Sequence, residues 1–313
     1  MIPIRLIAVD FSPISLVHNL ANNLSSKQNV FHFLAHDRVL NLPKRPNAPL
    51  QSLESIERLA KELCASEYPD EYPVVVCSRR LEGYKFAKIS DDMTVITTGA
   101  WPTTSSRRLL ENYIAYALVD ALMSRHVQYP AHTTRKGCVA DSWSNPKEVK
   151  EGLAKCEYCS ECRSLILQTI GNGISLHQVA AIFRILDYVA DRKTCFVIMP
   201  FDRAFDAVYA KLQRTLSKNN WVCRRADKIF QSREVMTLIW EEILRSDLII
   251  ADLTGKNANV FYELGYAHAL AKRTILITQS MKDVPFDLRH QQLVEYAPPG
   301  GLKRLASNIV RYL

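Results

Sequence analysis

Two stretches of the chain combine residue types that could do chemistry, and the first is a strand–turn–helix segment. Residues Asp247–Leu270 have the sequence DLIIADLTGKNANVFYELGYAHAL. Asp252 closes an apolar strand, and Asn259 is placed to cap the following helix, so Glu263 falls in its first turn or just beyond. A partly desolvated carboxylate there, at the mouth of a parallel sheet, can act as a nucleophile or stabilise a developing sugar cation.

The second stretch is a group of four cysteines among the eight in the chain. Cys156, Cys159 and Cys162 are each separated by two residues, Cys138 precedes them, and His132 lies just upstream. Tetrahedral zinc is held by thiolates and imidazoles at such spacings, which predicts a structural zinc site. The thiols of Cys159 and Cys162 are the firmest ligands, because the x2 turn lets both face one ion. Cys138 is the natural third ligand, and the fourth is Cys156 or His132. An iron–sulfur cluster and four unrelated reduced cysteines are the alternatives.

The segment that carries Glu263 belongs to a regular alternation of strands and helices that begins at Thr194. Short β-rich runs such as CFVIMPF, DLIIAD and TILIT alternate with helical periods, an order typical of a parallel sheet wrapped by helices. In such sheets ligands bind beyond the carboxyl ends of the strands. The residues that we predict to contact a ligand in these loops are Pro200, Phe201, Asp202, Asp252, Thr254, Gly255, Asn257 and Gln279.

The part of the chain before Thr194 has a less regular pattern, which favours an α+β domain. Its predicted strands are Ile4–Val9, Pro73–Cys77 and Thr94–Thr98, and its predicted helices are Gln51–Ser66 and about Ser105–Arg125. Three regions follow from these patterns: an α+β domain over 1–173 with the Cys-rich segment 132–162, a connecting helix over 174–193, and an α/β domain over 194–313.

Composition and charge exclude several classes of protein. The chain has 313 residues, of which 48% are hydrophobic and 23% charged, values of an ordinary globular protein and not of a disordered or fibrous one. No apolar run approaches the ~20 residues that cross a bilayer, and the first residues lack the order of a signal peptide, which predicts a cytoplasmic protein without a membrane partner. The net charge of +8 suits anionic ligands such as nucleotides.

Three motifs in the second part resemble bacterial domains related to nucleoside 2-deoxyribosyltransferases and TIR domains. They are FVIMPF at 196–201, ADLTGKNANVFYELGYAHALAKRTILITQ at 251–279 and DVPFDLR at 283–289. The resemblance covers roughly Thr194–Leu313. It implies an α/β fold, a flavodoxin-like five-stranded parallel sheet with helices on both faces.

The resemblance also implies roles for individual residues. In the deoxyribosyltransferases the Glu of the E-L-G-Y-A motif, which corresponds to Glu263, attacks the anomeric carbon as the base departs. In TIR enzymes a Glu on a comparable helix supports cleavage of the nicotinamide ribosyl bond of NAD. By the same resemblance Asp252 and Asn259 would orient sugar hydroxyls, and Phe201 or Tyr266 would stack on a base.

The expected function is hydrolysis of an N-glycosidic bond in a nucleotide or NAD, by a regulated effector of bacterial antiphage defence. Such an effector would be a homo-oligomer, would need no organic cofactor, and would sense a protein or small-molecule trigger through its first half. A nucleotide-binding signalling module without catalysis, a nucleoside 2-deoxyribosyltransferase and a zinc-dependent nucleic-acid binder are the alternatives. Transfer is disfavoured because Asn257 stands where an acid would protonate the leaving base, although Asp227 is a substitute candidate.

The first half resembles degenerate zincin-like domains, in which a long helix is followed by a Cys-rich segment. The corresponding helix, Leu109–Met123, contains no H-E-x-x-H motif, so the zinc ligands and the general base of such a protease are missing. We therefore predict that this domain is not a protease and that the helix is part of its core.

Overall fold

The computed structural model describes residues 1–11, 13–41, 53–81, 86–102, 104–130, 132, 134–143, 145–226, 235–297 and 301–313. The chain divides into two compact units, Met1–Ala190 and Asp191–Leu313. The helix that the sequence predicts over 174–193 spans Leu176–Val189 and belongs to the first unit.

The first unit is built on a five-stranded sheet with the order β2-β1-β3-β5-β4. All neighbouring strands pair in parallel except β4 and β5, which are antiparallel. The strands are β1 (Ile2–Val9), β2 (Phe31–Ala35), β3 (Tyr72–Cys77), β4 (Ala87–Ile89) and β5 (Thr94–Thr97). Of these, β1, β3 and β5 are predicted from the sequence, whereas β2 and β4 are not.

Helices cover both faces of this sheet because its strands are apolar on both sides. Ile4, Leu6 and Ala8 pack in one cluster with α1, α3 and α6, whereas Ile7 and Val9 pack in a second cluster with α2. The helices of the unit are α1 (Ile14–Lys27), α2 (Leu53–Glu67), α3 (Arg107–Ser124), α4 (Pro146–Lys155), α5 (Ser160–Thr169) and α6 (Leu176–Val189). The predicted start of α2 at Gln51 lies outside the described residues.

The second unit contains a five-stranded sheet with the order β10-β9-β8-β6-β7, and all its strands are parallel. The strands are β6 (Lys193–Ile198), β7 (Trp221–Arg224), β8 (Leu248–Asp252), β9 (Thr274–Thr278) and β10 (Leu293–Glu295). Counted within the unit, the order is that of a flavodoxin-like sheet. The predicted fold class, a parallel α/β unit preceded by a unit that mixes strands and helices, is confirmed.

Alternation along β6 divides the core of the second unit into two layers. Cys195 and Val197 pack with α7 (Asp206–Ser217) and α10 (Gly301–Arg311). Phe196 and Ile198 pack on the opposite face with α8 (Val235–Arg245) and α9 (Ala258–Ala269). Every residue of β8 is buried, as the continuous apolar run in the sequence predicts for a central strand.

No helix among the described residues combines the length and the apolar character that crossing a membrane requires.

Candidate functional site

Four potential metal ligands of the first unit lie together. His132, Cys138, Cys159 and Cys162 each offer one ligand atom, and these atoms are all within 4.8 Å of one another. Nε2 of His132 is 3.3 Å from Sγ of Cys162 and 3.6 Å from Sγ of Cys159. Three thiols and one imidazole are a donor set that suits a tetrahedral metal ion, so this group can hold one.

Local structure brings the three cysteines together. Cys159 is the N-cap residue of α5 and Cys162 lies in its first turn, so both thiols lie at the same end of one helix. Cys138 reaches them because its strand-like segment forms an isolated parallel bridge with Glu157. The backbone N–H of Cys159 donates a hydrogen bond to Sγ of Cys138 over 3.3 Å, which further links the two segments.

Asp141 supports this group from behind. Its carboxylate bonds Nδ1 of His132, which leaves Nε2 turned toward the thiols. The other carboxylate oxygen accepts hydrogen bonds from the backbone N–H groups of Lys136, Gly137 and Cys138, at 3.0, 2.7 and 3.1 Å. A carboxylate behind a histidine ligand fixes the orientation of the ring and raises its basicity. Asp141 is not predicted as a site residue from the sequence, although its position in a turn, three residues after Cys138, is a signal for it.

Cys156 is not part of the group. Of the two candidates for the fourth ligand, Cys156 and His132, it is His132 that lies with the three thiols, so the prediction of Cys156 is corrected. Cys156 ends α4 in the left-handed conformation, with φ of 46°. Its thiol donates a hydrogen bond to the carbonyl of Leu153 over 2.8 Å, and the residue is fully buried. The x2 spacing thus provides two ligands here, not three.

The second candidate site lies at the carboxyl edge of the parallel sheet of the second unit. Strands β6, β8 and β9 are neighbours, so the loops that follow them leave the sheet at the same edge. In this strand order the connection after β6 leads to one side of the sheet and the connection after β8 leads to the other. Ligands of such sheets usually bind at the point between two strands of this kind. The predicted loop residues after Met199, Ile250 and Ile277 therefore share one edge.

Asp252 is the centre of a buried hydrogen-bond network at this edge. It is 0% exposed, and Oδ1 accepts hydrogen bonds from the hydroxyl and the backbone N–H of Thr254, at 2.6 and 3.1 Å. Oδ2 accepts a hydrogen bond from the hydroxyl of Tyr296. The Thr254 hydroxyl also accepts the backbone N–H of Gln279 at 2.9 Å. Desolvation by burial raises the pKa of Asp252 although these bonds oppose the shift.

Tyr296 is a site residue that the sequence analysis missed. It follows β10 and is 1% exposed, and its hydroxyl ties the end of β10 to the end of β8. Burial also raises the pKa of this phenol. Ligands of a parallel sheet bind beyond the carboxyl ends of its strands, which would single out a residue that follows β10. The sequence does not predict β10 as a strand, so it gives no signal for Tyr296.

The turn after β8 has a conformation that requires its residue types. Gly255 adopts φ of 75°, in the left-handed region where glycine is favoured, and its N–H donates to a carboxylate oxygen of Asp283 at 2.9 Å. Asn257 then caps α9, because its side-chain oxygen accepts the N–H groups of Asn259 and Val260 at 3.0 and 3.4 Å. The prediction that Asn259 caps this helix is wrong, since Asn259 is an exposed helical residue whose own N–H is capped.

Glu263 lies on the buried face of α9. The other buried residues of this helix are Val260, Leu264 and Ala267, which with Glu263 form one stripe that is apolar except for this carboxyl. Glu263 is 9% exposed and has no hydrogen bond or ion pair within the described part of the chain. Desolvation raises the pKa of its carboxyl to about 7.

The remaining predicted residues lie in different environments. Pro200 is half-buried, Phe201 is 54% exposed, and Asp202 is exposed with its carboxylate accepting the N–H of Ala204 at 2.8 Å. Tyr266 is half-buried, and its ring lies 5.7 Å from that of Trp240 between centroids. Stacking of Phe201 or Tyr266 on a base stays a prediction. Asp227 lies outside the described residues.

Comparison with known proteins gives structural similarities only. No family model matches the chain, and no curated protein matches its sequence. A 2-deoxyribosyltransferase from Leishmania mexicana is 22% identical over 28% of this chain, with a TM-score of 0.26; the match covers 65% of that chain, less than two thirds. A CMP N-glycosidase from Clostridium botulinum is 19% identical over 39% of this chain and 100% of its own, with a TM-score of 0.32.

A third similar structure is of another kind. An archaemetzincin from Methanopyrus kandleri is 13% identical over 55% of this chain and 96% of its own, with a TM-score of 0.36. The similar structures therefore include a deoxyribosyltransferase, as the resemblance of the second part implies, and a zincin-like protein, as the resemblance of the first half implies. Chemistry depends on individual side chains, and similarity at this level does not assign it.

Proposed function

We propose that residues 191–313 hydrolyse the N-glycosidic bond of a nucleoside or nucleotide, with Glu263 as the carboxylate that meets the anomeric carbon. The observation that carries this proposal is the carboxyl of Glu263, which is 9% exposed, has no partner among the described residues and lies in an otherwise apolar stripe. A buried carboxyl without a partner costs stability, and such groups concentrate where a function needs them. The resemblance of the E-L-G-Y-A motif to that of the deoxyribosyltransferases supports the same residue.

The proposed reaction has two steps. In the first, the bond between the anomeric carbon and the base nitrogen breaks, its electron pair leaves with the base, and an oxygen of Glu263 bonds the carbon. In the second, water adds to the same carbon and releases the Glu263 carboxylate, and the proton that this water loses passes through solvent to the base that left, so the products are the free sugar and the neutral base. A desolvated carboxylate suits this role because it stabilises positive charge on the sugar more strongly than a hydrated one. With its pKa at about 7, a large fraction of Glu263 is ionised at neutral pH.

In this proposal Asp252 is a positioning residue. Both of its oxygens already accept hydrogen bonds from Thr254 and Tyr296, so it holds these two side chains in place at the ends of β8 and β10. Thr254 and the turn at Gly255 follow β8 at the edge of the sheet where we place the sugar. Such support keeps the reacting groups in a defined geometry. Much of the rate enhancement of an enzyme comes from holding the reactants in this way.

Water is the proposed acceptor, and transfer to a second base is the weaker alternative. Asn257, which stands where a transferase would place an acid, has its side chain engaged in capping α9. NAD as the substrate, and a regulated role in bacterial antiphage defence as a homo-oligomer, are further proposals that rest on the resemblance of residues 194–313 to TIR domains. In that role the first unit would sense the trigger.

The test is release of free base by the full-length protein. NAD, ATP, CMP and a panel of ribonucleosides and deoxyribonucleosides are incubated with the wild type, with Glu263→Gln and with Asp287→Asn, a control at an exposed carboxylate. Chromatography is expected to show base released by the wild type and the control, and a loss of at least about a hundredfold in Glu263→Gln. Base released equally by Glu263→Gln would overturn the catalytic role.

A non-catalytic nucleotide-binding module makes a different prediction. It would bind one of these compounds in calorimetry, release no base, and bind equally well after Glu263→Gln. That combination would replace the glycosidase proposal by the signalling alternative.

We also propose that the group of His132, Cys138, Cys159 and Cys162 holds a structural zinc ion. Four protein ligands complete the tetrahedral coordination and leave no open position for a substrate or water, which is typical of structural and not catalytic zinc. The carboxylate of Asp141 behind His132 is the expected supporting contact. The ion would join the segment around Cys138 to the start of α5.

A further inference from the structure

A cavity of about 600 Å³ lies in the first unit, and neither proposal above uses it. Its wall includes residues of α3, of strand β4 and of the segment 139–143. A volume of this size is within the range of about 300–1,000 Å³ that small-molecule sites occupy. Five of the described side chains in its wall are aromatic, those of Phe86, Tyr113, Tyr116, Tyr129 and Trp143.

The charged side chains in the described wall of this cavity are the carboxylates of Asp120 and Asp141. The carboxylate of Asp141 is already engaged in hydrogen bonds. Asp141 accepts hydrogen bonds from His132 and from three backbone N–H groups, as described above. Asp120 projects from α3 and, within the described part of the chain, accepts one hydrogen bond, from the hydroxyl of Ser124 at 3.1 Å. No Lys, Arg or His is among the described residues of the wall. Asp120 therefore has no counter-charge in the cavity.

The ligand class follows from this combination. A phosphate or carboxylate would meet a carboxylate and no cation, so anionic ligands are disfavoured. A positively charged group would make two favourable interactions. It would form an ion pair with a poorly solvated carboxylate, and it would make cation–π contacts with the aromatic rings. Consistent with a site that lacks its counter-charge, burial raises the pKa of Asp120 to about 6.

We propose that this cavity binds a small organic cation, an amine or guanidine attached to an apolar body, with Asp120 as its counter-ion. The aromatic side chains surround the apolar body and the carboxylate accepts the N–H donors. The buried hydroxyl of Tyr116, which has no hydrogen-bond partner among the described residues, marks a second polar point in the wall. The proposal concerns the first unit alone and does not depend on the glycosidic chemistry proposed for the second.

The test uses three probes of the same shape that differ in charge. Naphthylmethylamine, naphthylmethanol and naphthoate are titrated into the full-length protein by calorimetry at about pH 8, where the amine is protonated and Asp120 is ionised. We expect the amine to bind at least about tenfold more tightly than the alcohol, and the naphthoate to be the weakest of the three.

Three variants locate the binding. Asp120→Asn is expected to weaken the amine by at least about tenfold and to leave the alcohol unchanged, because it removes the charge and keeps the shape. Asp91→Asn removes an exposed carboxylate of the same unit and should change neither. Ala117→Leu adds volume in the wall of the cavity and should weaken both amine and alcohol.

Other results would overturn the proposal. Equal binding of amine and alcohol, with no effect of Asp120→Asn, would identify an apolar cavity. Tighter binding of the naphthoate would identify an anion site. An amine that binds equally well to Ala117→Leu would bind elsewhere, and no binding of any probe would remove the site. Circular dichroism of each variant separates lost binding from lost folding.

Discussion

At the scale of single residues, two buried carboxyls of the second unit differ in their surroundings. Asp252 accepts hydrogen bonds from Thr254 and Tyr296, whereas Glu263 has no described partner and lies in an apolar stripe. Desolvation raises the pKa of Glu263 to about 7, and nothing opposes it. A residue that weakens the folded state in this way is typical of a functional position, since stability is lost there to keep a reactive group.

The stability of the protein should therefore depend on pH through Glu263. Its pKa is about 7 in the folded state against an ordinary value of 4.5, so the folded state retains a proton that the unfolded state has lost. The contribution of Glu263 to the stability of the fold is complete below pH 4.5. It falls as the pH rises from 4.5 to about 7, and it is lost above about pH 7. Glu263→Gln should remove a penalty of up to about 3 kcal/mol at pH values above about 7.

The measurement is the free energy of unfolding in urea, determined at several pH values for three proteins. The variant should exceed the wild type at alkaline pH, and the difference should shrink toward acid pH. Asp287→Asn, at an exposed carboxyl, should follow the wild type throughout. A difference between wild type and Glu263→Gln that does not change with pH would contradict the shifted pKa.

The metal ligands give a second prediction at this scale. Purified protein should contain about one zinc ion per chain, and Cys159→Ser or His132→Ala should abolish it. Cys156→Ser is the matched control, because its thiol donates to the carbonyl of Leu153 and lies outside the ligand group, so zinc should be retained. The measurement is the zinc content of each dialysed protein. If Cys156→Ser lost zinc and His132→Ala kept it, Cys156 and not His132 would be the fourth ligand.

At the scale of elements, α9 carries Glu263 and its start depends on one side chain. The helix begins at Ala258, and Asn257 accepts two of the N–H groups that its first turn leaves without partners. The glycine turn before it and the hydrogen bond from Gly255 to Asp283 lead the chain from β8 into this cap. The position of Glu263 relative to the sheet edge therefore depends on the turn as well as on the helix.

Removing the cap should cost more than removing its neighbour. Asn257→Ala is expected to lower the free energy of unfolding by about 1 kcal/mol, since two backbone donors lose their acceptor. Asn259→Ala is expected to change it by less than about 0.5 kcal/mol, because that side chain is exposed. Urea unfolding of the two variants under one set of conditions tests the pair, and the opposite order would restore Asn259 as the cap.

At the scale of the whole molecule, two units each have their own sheet and core. The sheet of Met1–Ala190 is covered by four helices in two clusters, and that of Asp191–Leu313 is covered on both faces in the same way. The four proposed zinc ligands belong to the first unit and Glu263 to the second. If zinc is bound as proposed, its removal should therefore loosen the first unit and leave the second unchanged.

Hydrogen exchange measured by mass spectrometry can test this separation on the full chain. After incubation with a chelator, peptides from residues 132–167 and from α3 should exchange faster, because the proposed zinc ion would hold the segment around Cys138 to the start of α5. Peptides from β6, β8 and α9 should exchange at an unchanged rate. An equal increase in both units would show that the metal supports the whole molecule.

Much of the second unit follows from its sequence because the relevant signals are local. Apolar runs of four to six residues predict β6, β8 and β9, and the order of strand, turn and helix predicts that Glu263 lies in the helix that follows β8. The cap was assigned two residues too late, since Asn257 and Asn259 are both good capping residues and only backbone geometry separates them. β10 was missed because three residues give no periodicity.

The sequence by itself determined the α/β alternation, the buried central strands and the pair of thiols at the start of α5, since each depends on neighbours within about one turn or strand. Tertiary structure alone decided the partners that meet across long separations. His132 completes the metal group where Cys156 turns away, Tyr296 reaches Asp252 from another strand, and Asp120 faces a cavity built from three segments. Such contacts depend on the path of the whole chain, which no local pattern encodes.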